Sequence, residues 1–198
     1  MNVIGLTGTM GSGKSTVSEY LREKGYPIVD ADKIARELME KGERGYEKVV
    51  ESFSEDILDP DGAIDRKKLS DIVFTEEEKR NLLNRILHPL VIDKVNRQIR
   101  EHFHRGEDLI FVDAPLLIEA KMHLMTDKVI LVKTEMTLLL SRIMRRDGIS
   151  KAKARSIMDS QMPVSEKEKF ADYIIENNGG KEALYGRIDI LLEELERF

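Results

Sequence analysis

Residues 1–17 read MNVIGLTGTMGSGKSTV, and this stretch decides the fold. An apolar run leads into a glycine-rich segment, and a helical pattern opens at Lys14. Residues 8–15 fit the pattern GxxxxGK(S/T). Its glycines let backbone N–H groups approach a polyphosphate without a Cβ in the way, and the helix adds the positive end of its dipole. The stretch therefore predicts a strand, a phosphate loop and a helix, and with them a nucleoside triphosphate site.

Two side chains of the phosphate loop, which we define as residues 8–15, receive a role from the pattern. Lys14 is expected to reach the β- and γ-phosphates, and the Ser15 hydroxyl is expected to bind Mg²⁺. The loop alone leaves the recipient of the γ-phosphate open. That recipient is water in an ATPase or GTPase, and an acceptor molecule in a kinase.

Composition narrows the class of protein. A chain of 198 residues with 41% hydrophobic residues is expected to form one ordinary domain, with room for insertions. The absence of Cys excludes disulfides, thiolate metal ligands and cysteine nucleophiles. A formal net charge of −5 argues against a large nonspecific nucleic-acid surface. No apolar run in the sequence approaches the length of a membrane span, and we expect a cytoplasmic protein.

Four further apolar runs predict the other strands of a parallel sheet. They are residues 27–30, 108–113, 128–132 and 173–175. Continuous apolar runs with β-branched residues are typical of parallel strands that are covered on both faces. The second and third strands end in Asp30 and Asp113, and open α/β sheets carry their chemistry at the carboxyl ends of the strands.

Residues 31–107 contain no convincing strand and are far longer than an ordinary crossover. Helical patterns cover residues 32–41, 46–53, 66–74, 75–87 and 89–105. Thr75 with Glu78 fits a capping box, Pro89 suits the first position of a helix, and the sequence DPDG at residues 59–62 predicts a turn. We therefore expect a helical subdomain inserted at the active edge of the sheet.

Three acids are candidates for the chemistry. Asp113 follows LIFV and resembles an acid that holds Mg²⁺, although it could instead cap a neighbouring turn. Ala114 follows it where a hydrolytic ATPase often has a glutamate, which favours transfer to an acceptor. Asp30 and Asp32 are spaced i, i+2 and face one side of an extended segment, so either could be the base. Asp32 could equally be the N-cap of the next helix.

Three arginines share one broad face of a predicted helical pair at residues 134–147 and 150–161. They are Arg142, Arg145 and Arg146, spaced i, i+3, i+4. Arginines at this place can fold over the transferring phosphoryl group and stabilise its charge. The alternative is a solvated basic face.

Two further residues carry open alternatives. Arg36 lies four residues after Asp32, so it either binds an acceptor phosphate or pairs with Asp32. His88 precedes Pro89, so it is either a helix-entry residue or a substrate contact. The four histidines show no convincing spacing for a zinc site.

Together these segments resemble the dephospho-CoA kinase family over nearly the whole chain. The matching segments are GLTGTMGSGKSTV, VDADKIAR, DGAIDRKKL followed by VF, HPLV, DAPLLIEA, RIMRRDG, RSIMDSQMP and ADYIIENNG. Many families share the phosphate loop, whereas DADKIAR, HPLV and DAPLLIE in this order and spacing are much more specific. The chain departs from the family at Ser54, where Gly is frequent, and at Leu139, where Gln is frequent.

The resemblance implies transfer of the ATP γ-phosphate to the ribose 3′-hydroxyl of dephospho-CoA, the last step of coenzyme A synthesis. It also implies an α/β P-loop kinase fold, with a five-stranded parallel sheet flanked by helices, a helical acceptor-binding insertion and a helical lid. The corresponding ranges are 1–30, 108–133 and 173–198 for the nucleotide-binding core, 31–107 for the insertion and 134–172 for the lid.

The resemblance implies roles for individual residues as well. The expected ATP-binding residues are Gly11, Ser12, Gly13, Lys14, Ser15 and Thr16. Asp32 is the expected base, with Lys14, Arg142 and Arg146 as the other catalytic residues. Acceptor contacts are expected from Asp30, Arg36, His88, Pro115 and Leu116, and Mg²⁺ ligation from Ser15 and Asp113. We expect a monomer, with self-association left open, that acts on ATP and dephospho-CoA without a nucleic-acid or membrane partner.

Three other functions compete with dephospho-CoA phosphorylation as interpretations of the sequence. A nucleoside monophosphate kinase or another small-molecule kinase uses the same scaffold, although the family-like segments oppose it. A regulatory GTPase should carry an NKxD-type guanine-binding motif, and the sequence has none. A nucleic-acid-dependent ATPase is suggested only by the basic residues of the predicted lid.

Overall fold

The structure is a computed structural model that describes residues 1–159 and 161–197. The strands are β1 (Asn2–Gly8), β2 (Ile28–Asp30), β3 (Leu109–Asp113), β4 (Lys128–Lys133) and β5 (Tyr173–Glu176). The helices are α1 (Lys14–Glu23), α2 (Ala31–Leu38), α3 (Arg44–Phe53), α4 (Arg66–Thr75), α5 (Glu77–His104), α6 (Met136–Asp147), α7 (Lys151–Asp159), α8 (Val164–Glu168) and α9 (Lys181–Leu195). Two short 3₁₀ helices cover Glu55–Ile57 and Met122–Met125.

The five strands form one sheet in the order β2-β3-β1-β4-β5. β1 pairs in parallel with β3 and β4, and β4 pairs in parallel with β5. The chain first builds the side of the sheet that holds β2 and β3, and then crosses to the other side of β1. The phosphate loop therefore follows the strand at which the strand order reverses, where open α/β sheets bind their ligands. The five-stranded parallel sheet predicted from the sequence is confirmed.

The apolar runs form these strands because both faces of the sheet are covered. The four later strands lie within one residue of their predicted bounds at each end. Ile4 and Leu6 of β1 share one buried cluster with residues of the other strands and of α1 and α9. The other members of this cluster are Val17, Leu21, Phe111, Ile130, Val132, Ile175, Leu184, Ile188, Leu191, Leu192 and Leu195.

The chain forms two compact units. The first comprises Met1–Val29 and the residues from Ile99 onward, and the second comprises Asp30–Gln98. The second unit has its own apolar core, which contains Val49, Phe53, Ile57, Ile64, Leu69 and Leu87. Its DPDG turn forms as expected, because Asp59 Oδ1 accepts hydrogen bonds from the N–H groups of Asp61 at 3.0 Å and Ala63 at 2.9 Å. The division into core, insertion and lid stays a prediction.

Pro89 lies inside a helix rather than at the start of one. The predicted helices at residues 75–87 and 89–105 are a single helix of 28 residues, α5. A proline inside a helix costs about 3 kcal/mol relative to Ala. Leu87, Val91 and Val95 are buried on both sides of it, and each buried aliphatic side chain contributes about 1.5–3 kcal/mol. Burial therefore outweighs the local preference of proline.

The predicted capping box at Thr75 and Glu78 is wrong. Thr75 is the last residue of α4, and its hydroxyl donates to the carbonyl groups of Asp71 at 2.9 Å and Ile72 at 3.1 Å. The side chain thus bonds back to its own helix, which is a common alternative for threonine. In the part of the chain that the structure describes, no helix is long and apolar enough to cross a membrane.

The predicted helical pair after β4 is confirmed as α6 and α7, which are shorter than the patterns suggested. Gly148, at φ 63°, separates them and supplies the left-handed conformation that often ends a helix. Ser160, within the second predicted range, lies outside the described residues. Helix α8 and the two 3₁₀ helices were not predicted, because segments of three to five residues leave no clear periodic pattern.

Ser54 has a backbone conformation that suits glycine. It links α3 to the 3₁₀ helix Glu55–Ile57 at φ 68° and ψ 169°. This region is almost restricted to glycine, and another residue there costs about 1–3 kcal/mol. The Ser54 hydroxyl offsets part of the cost, because it accepts a hydrogen bond from the Asp56 N–H at 3.4 Å and donates to Asp56 Oδ2 at 2.9 Å. The departure from the frequent Gly at this position is therefore a source of strain.

We expect Ser54→Gly to raise the free energy of unfolding by about 1 kcal/mol, because glycine relieves the strain. This is a net value, because the relief of about 1–3 kcal/mol of strain is reduced by about 0.5–1 kcal/mol through the larger conformational entropy of glycine in the unfolded chain. Urea-induced unfolding measures the change. Ser54→Ala is the matched control, since it removes the hydroxyl and keeps the strain, and it should lower the stability. A Ser54→Gly variant less stable than the wild type would contradict the strain argument.

Candidate functional site

The phosphate loop has the backbone conformation that its glycines predicted. Gly11 at φ 81° and Gly13 at φ 89° are both left-handed, and the Ser12 N–H donates to the Thr9 carbonyl at 3.0 Å. Helix α1 begins immediately afterwards at Lys14, with Gly13 as its N-cap. The first N–H groups of a helix have no acceptor within the helix, so those of α1 are available to an anion.

Two hydroxyl groups of the loop are buried without a hydrogen-bond partner among the described residues. They belong to Thr9 and Ser12. A buried polar group without a partner costs about 1–3 kcal/mol. Such groups are rare in folded proteins, and the two hydroxyls of this kind among the described residues both lie in the segment that the sequence assigns to phosphate, whereas His123 and Glu168 carry buried atoms without a hydrogen bond elsewhere.

Lys14 and Asp113 form an ion pair at the carboxyl end of the sheet. The strand register pairs Leu6 of β1 with Asp113 of β3, which places the ends of the two strands side by side. One carboxylate oxygen of Asp113 accepts from the Lys14 ammonium group, and the other accepts from the Ser18 hydroxyl. Both oxygens thus accept from side chains of α1, and the role of Asp113 in holding Mg²⁺ stays a prediction. Ser18 was not predicted as a site residue.

Lys167 is a fully buried lysine that the sequence did not reveal. Its ammonium group donates to the Pro115 carbonyl at 2.6 Å and forms an ion pair with Glu119 at 2.9 Å. The Thr7 hydroxyl donates to the same carbonyl at 3.1 Å. Pro115, a predicted acceptor contact, is therefore held in place through its backbone. The charged segment around Lys167 reads as an exposed helix, and no pattern in it indicates burial.

The pKa of Lys167 depends on its burial and on the charges near it. Burial lowers the pKa of Lys167 below its ordinary value, Glu119 opposes that change, and the positive charge of Lys14 adds to it. A second cation is thus near enough to Lys14 to interact with it. The end of the sheet therefore holds two lysines and two carboxylates, of which the sequence predicted one of each, Lys14 and Asp113.

The predicted lid arginines have different surroundings. Arg142 is half-buried and donates to the Asn177 carbonyl at 3.1 Å and to the Thr134 hydroxyl oxygen at 3.3 Å. Arg146 is exposed and donates to both carboxylate oxygens of Asp147, at 2.7 and 2.9 Å. These hydrogen bonds raise the pKa of Arg146 and lower the pKa of Asp147. The shared basic face thus divides into Arg142, which is bound to the protein interior, and Arg145 and Arg146, which are exposed at the surface.

The α6–α7 pair also contacts the phosphate loop through apolar side chains. Leu139, Leu140, Ile143 and Ala154 form a buried cluster against which Met10 packs. A Cβ placed on Gly11 would lie 2.9 Å from Ile143 and 3.1 Å from Leu139, so these side chains cover the loop closely. The side chain of Gln161 accepts a hydrogen bond from the Met10 N–H at 3.3 Å. Leu139, where the family frequently has Gln, therefore makes an apolar contact with the loop.

Leu116, the other acceptor contact predicted beside Pro115, is half-buried in the first unit, and the remaining predicted site residues lie in the second unit. Asp30, and not Asp32, is the N-cap of α2, because its carboxylate accepts from the Lys33 N–H at 2.9 Å. Asp32, in the first turn of this helix, and Arg36, in its last turn, are both exposed. Glu37 of the same helix pairs with Lys94 of α5 at 2.8 Å.

His88 is half-buried in the interior of α5, so the prediction of a helix-entry residue is wrong. The cause is the one that applies to Pro89, since burial of the surrounding residues extends α5 through the HPLV segment. His88 therefore keeps its other predicted role, a contact to the acceptor, which stays a prediction.

The donor atoms near the phosphate loop fit Mg²⁺. Ser15 is exposed on the first turn of α1, and Asp113 supplies a carboxylate at the end of the neighbouring strand. In residues 1–159 and 161–197 no group of three His, Cys, Asp or Glu side chains could hold a metal ion by itself. Mg²⁺ commonly binds through one or two protein oxygens together with substrate phosphates and water. The residues present suit that kind of site.

The strand order, the glycine loop after the central strand and the lysine–aspartate pair at the ends of β1 and β3 define a P-loop kinase fold. A shikimate kinase from Acinetobacter baumannii, whose structure is in complex with shikimate, shares this fold at 18% identity and a TM-score of 0.56, with 98% of this chain and 94% of that chain covered.

The family follows from closer matches. The family model for dephospho-CoA kinase matches residues 2–183. A dephospho-CoA kinase from Bacillus anthracis is 46% identical over 177 residues, which are 89% of this chain and 88% of the relative. The structure of a dephospho-CoA kinase from Campylobacter jejuni superposes with a TM-score of 0.73 at 31% identity, covering 99% of this chain and 98% of that one. The chain belongs to the dephospho-CoA kinase family, and the family assignment made from its sequence segments is confirmed.

We expect Lys167→Met to change how stability depends on pH. The pKa of Lys167 is lowered in the folded protein from its ordinary 10.5, so in the pH range just below 10.5 the unfolded chain binds more protons than the folded one. Lys167 therefore makes the wild type gain stability as pH rises toward 10.5, and the variant lacks this contribution. Urea unfolding at several pH values should show that the free energy of unfolding of the wild type rises relative to that of the variant as pH increases toward 10.5.

Lys169→Met is the matched control for that series, since Lys169 is exposed in the same segment and pairs with Glu166 at the surface. It should follow the pH dependence of the wild type. Parallel pH curves for Lys167→Met and the wild type would contradict the assignment of a buried charge to Lys167.

Proposed function

We propose that this chain transfers the γ-phosphate of ATP to the ribose 3′-hydroxyl of dephospho-CoA and releases coenzyme A and ADP. The observation that carries the proposal is the Lys14–Asp113 pair beside a glycine-rich phosphate loop, in a member of the dephospho-CoA kinase family. The relatives at high coverage bear this activity in their names, and the segments that carry the resemblance span both compact units.

The phosphate loop and Lys14 bind and orient the triphosphate. Phosphoryl transfer needs little covalent help from a protein, so positioning and charge stabilisation supply most of the catalysis. Asp113 and Ser18 hold the Lys14 side chain at the end of the sheet, which limits its conformational freedom before the substrate binds. A preorganised charge costs less to use when the charge of the transferring group spreads over its oxygens. Gly11 to Thr16 provide the backbone N–H groups of the loop.

Ser15 and Asp113 are the residues that would hold Mg²⁺ in this proposal. When bound, the ion neutralises charge on the β- and γ-phosphate oxygens. The Asp113 carboxylate also binds Lys14, so a change at this residue affects both the lysine and the metal. A substitution at Asp113 is therefore expected to change the Mg²⁺ requirement, whereas a substitution at the base Asp32 is not.

Arg142 and Arg146 are proposed to stabilise the charge of the transferring group. Arg146 must first leave Asp147, and an exposed ion pair of this kind is worth only about 0.2–1 kcal/mol. Replacing Asp147 by a phosphate group as the partner of Arg146 therefore costs little free energy. Arg142 is bound more firmly, since it is half-buried and its partners are the Asn177 carbonyl and the Thr134 hydroxyl.

Asp32 is the proposed base for the 3′-hydroxyl. The N-cap role that competed with this function belongs to Asp30, so capping no longer explains Asp32. The carboxylate lies exposed in the first turn of α2, where a reacting hydroxyl can be approached. Asp30, Arg36, His88, Pro115 and Leu116 are proposed contacts to the acceptor, and Arg36 offers a cation for its pyrophosphate group.

ADP release with ATP and Mg²⁺ should require dephospho-CoA when the acceptors dephospho-CoA, AMP, CMP and none are compared. The reason is that a kinase must exclude water until its acceptor is in place. Lys14→Met serves as the inactive control, since it removes the charge at the β- and γ-phosphates. Equal ADP release without an acceptor would indicate an ATPase, and equal turnover of AMP or CMP would indicate a nucleotide kinase.

Asp32→Asn is expected to lower kcat by a factor on the order of 10² to 10⁴, because the amide keeps the size of the side chain but cannot accept the proton. The affinity for ATP should stay the same. Asp113→Asn is the contrasting variant, and it should raise the Mg²⁺ concentration needed for activity. Full activity of Asp32→Asn at every pH would overturn the base role, and rescue by excess Mg²⁺ would instead move Asp32 to the metal site.

A further inference from the structure

The carbonyl group of Ser12, in the middle of the phosphate loop, is held by two side chains outside the loop. It accepts a hydrogen bond from Asn177 Nδ2 at 2.8 Å and another from the Thr134 hydroxyl at 3.0 Å. Thr134 directly follows β4, and Asn177 directly follows β5. Ser12, Thr134 and Asn177 are all buried, with exposed fractions of 0%, 4% and 7%. The ends of two strands thus fix one peptide group of the loop in a site that excludes water.

Fixing this carbonyl also fixes the direction of the next N–H group. The peptide between Ser12 and Gly13 is planar and trans, so its C=O and N–H point in opposite directions. With the Ser12 oxygen turned toward Thr134 and Asn177, the Gly13 N–H points away from them. Gly13 is the N-cap of α1, so this N–H lies beside the free N–H groups at the start of the helix.

Asn177 packs directly against the backbone at Gly13. A Cβ built on Gly13 would lie 2.1 Å from Asn177 Nδ2, which is far closer than any real contact of this kind. The side chain of Asn177 therefore occupies the space beside the left-handed glycine and requires glycine there. A rotation of the Ser12–Gly13 peptide would lose both hydrogen bonds and turn a carbonyl oxygen toward the side on which the N–H groups lie.

Arg142 also contacts the two residues that hold the Ser12 carbonyl. A hydroxyl has one proton to donate, and two carbonyl oxygens lie within reach of Thr134, Ser12 at 3.0 Å and Asn177 at 3.2 Å. The guanidinium group of Arg142 donates to the Asn177 carbonyl at 3.1 Å and to the Thr134 oxygen at 3.3 Å. Each carbonyl has another donor, Arg142 for Asn177 and the Asn177 amide for Ser12, so the shorter distance favours the hydrogen bond from Thr134 to Ser12.

We propose that Asn177 and Thr134 are positioning residues for ATP, which act by locking the Ser12–Gly13 peptide so that the N–H groups of the phosphate loop face the triphosphate. The inference rests on the proposed function, since it takes the loop to bind ATP. Without the lock, only a fraction of the molecules holds the loop in the competent conformation, and the apparent affinity falls by that fraction. Loss of the lock should therefore lower the affinity for ATP and leave the affinity for the acceptor unchanged.

Isothermal titration with ATP, steady-state kinetics and thermal unfolding test the proposal on four variants of the full chain. Thr134→Val removes the hydroxyl at nearly constant volume, and Thr134→Ser keeps it as the matched control. Asn177→Ala removes the amide. Asn178→Ala is its control, because the neighbouring Asn178 is exposed and accepts from the Glu135 N–H at 2.8 Å instead of binding the loop.

We expect the Kd for ATP to rise about tenfold in Asn177→Ala and in Thr134→Val, a change that corresponds to about 1.4 kcal/mol each. The KM for dephospho-CoA should stay the same, and Thr134→Ser and Asn178→Ala should bind ATP like the wild type. Should Asn177→Ala fail to fold, the comparison of Thr134→Val with Thr134→Ser decides alone.

Two results would overturn the inference. In the first, the melting temperature falls while the Kd for ATP does not change, which indicates a purely structural role. In the second, Asn178→Ala or Thr134→Ser loses as much ATP affinity as its partner variant. A wild-type protein that binds no ATP would instead refute the proposed function, so the two failures are distinguishable.

Discussion

Several backbone N–H groups must point to the same side for the phosphate loop to bind a triphosphate, and an isolated chain has no reason to keep that arrangement. Gly11 and Gly13 make the conformation possible, since both have positive φ angles. Glycine permits the geometry but does not enforce it, because it populates many other conformations as readily. Contacts from outside the loop hold it in this conformation. They are the hydrogen bonds to the Ser12 carbonyl and the packing of Met10 in the α6–α7 cluster.

The charged side chains at the carboxyl end of the sheet are also held in fixed positions. Lys14 and Lys167 bring two positive charges close together, which is unfavourable in a buried region. Asp113 and Glu119 each pair with one of them, so each lysine keeps a carboxylate partner. These four groups carry no net formal charge together, and hydrogen bonds fix the positions of both lysines. Breaking either pair would leave a poorly compensated charge, which costs more than an intact pair contributes.

The sequence predicts those parts of the molecule that depend on short-range patterns. The phosphate loop, the parallel strands and the acid at Asp113 all follow from local composition and spacing, and the family followed from segments such as DADKIAR. Long-range packing decides the rest. Pro89 lies inside α5 because burial of its neighbours outweighs its preference, and no single-residue rule could indicate that. Lys167 and Asn177 acquire their roles from partners more than forty residues away, such as Glu119 and Ser12.

Helix α6 combines features that short-range sequence patterns predict with contacts that long-range packing decides. Its arginines favour the prediction of a lid, whereas its contacts with the phosphate loop are made by Leu139 and Ile143, one turn apart on the apolar face. Arg142, between them in the sequence, reaches the Thr134–Asn177 pair that holds the Ser12 carbonyl. Apolar contacts are non-directional, so Leu139 can tolerate small displacements of α6 that a glutamine hydrogen bond would resist. The departure from the family at Leu139 therefore leaves the directional contact between α6 and the loop network to Arg142.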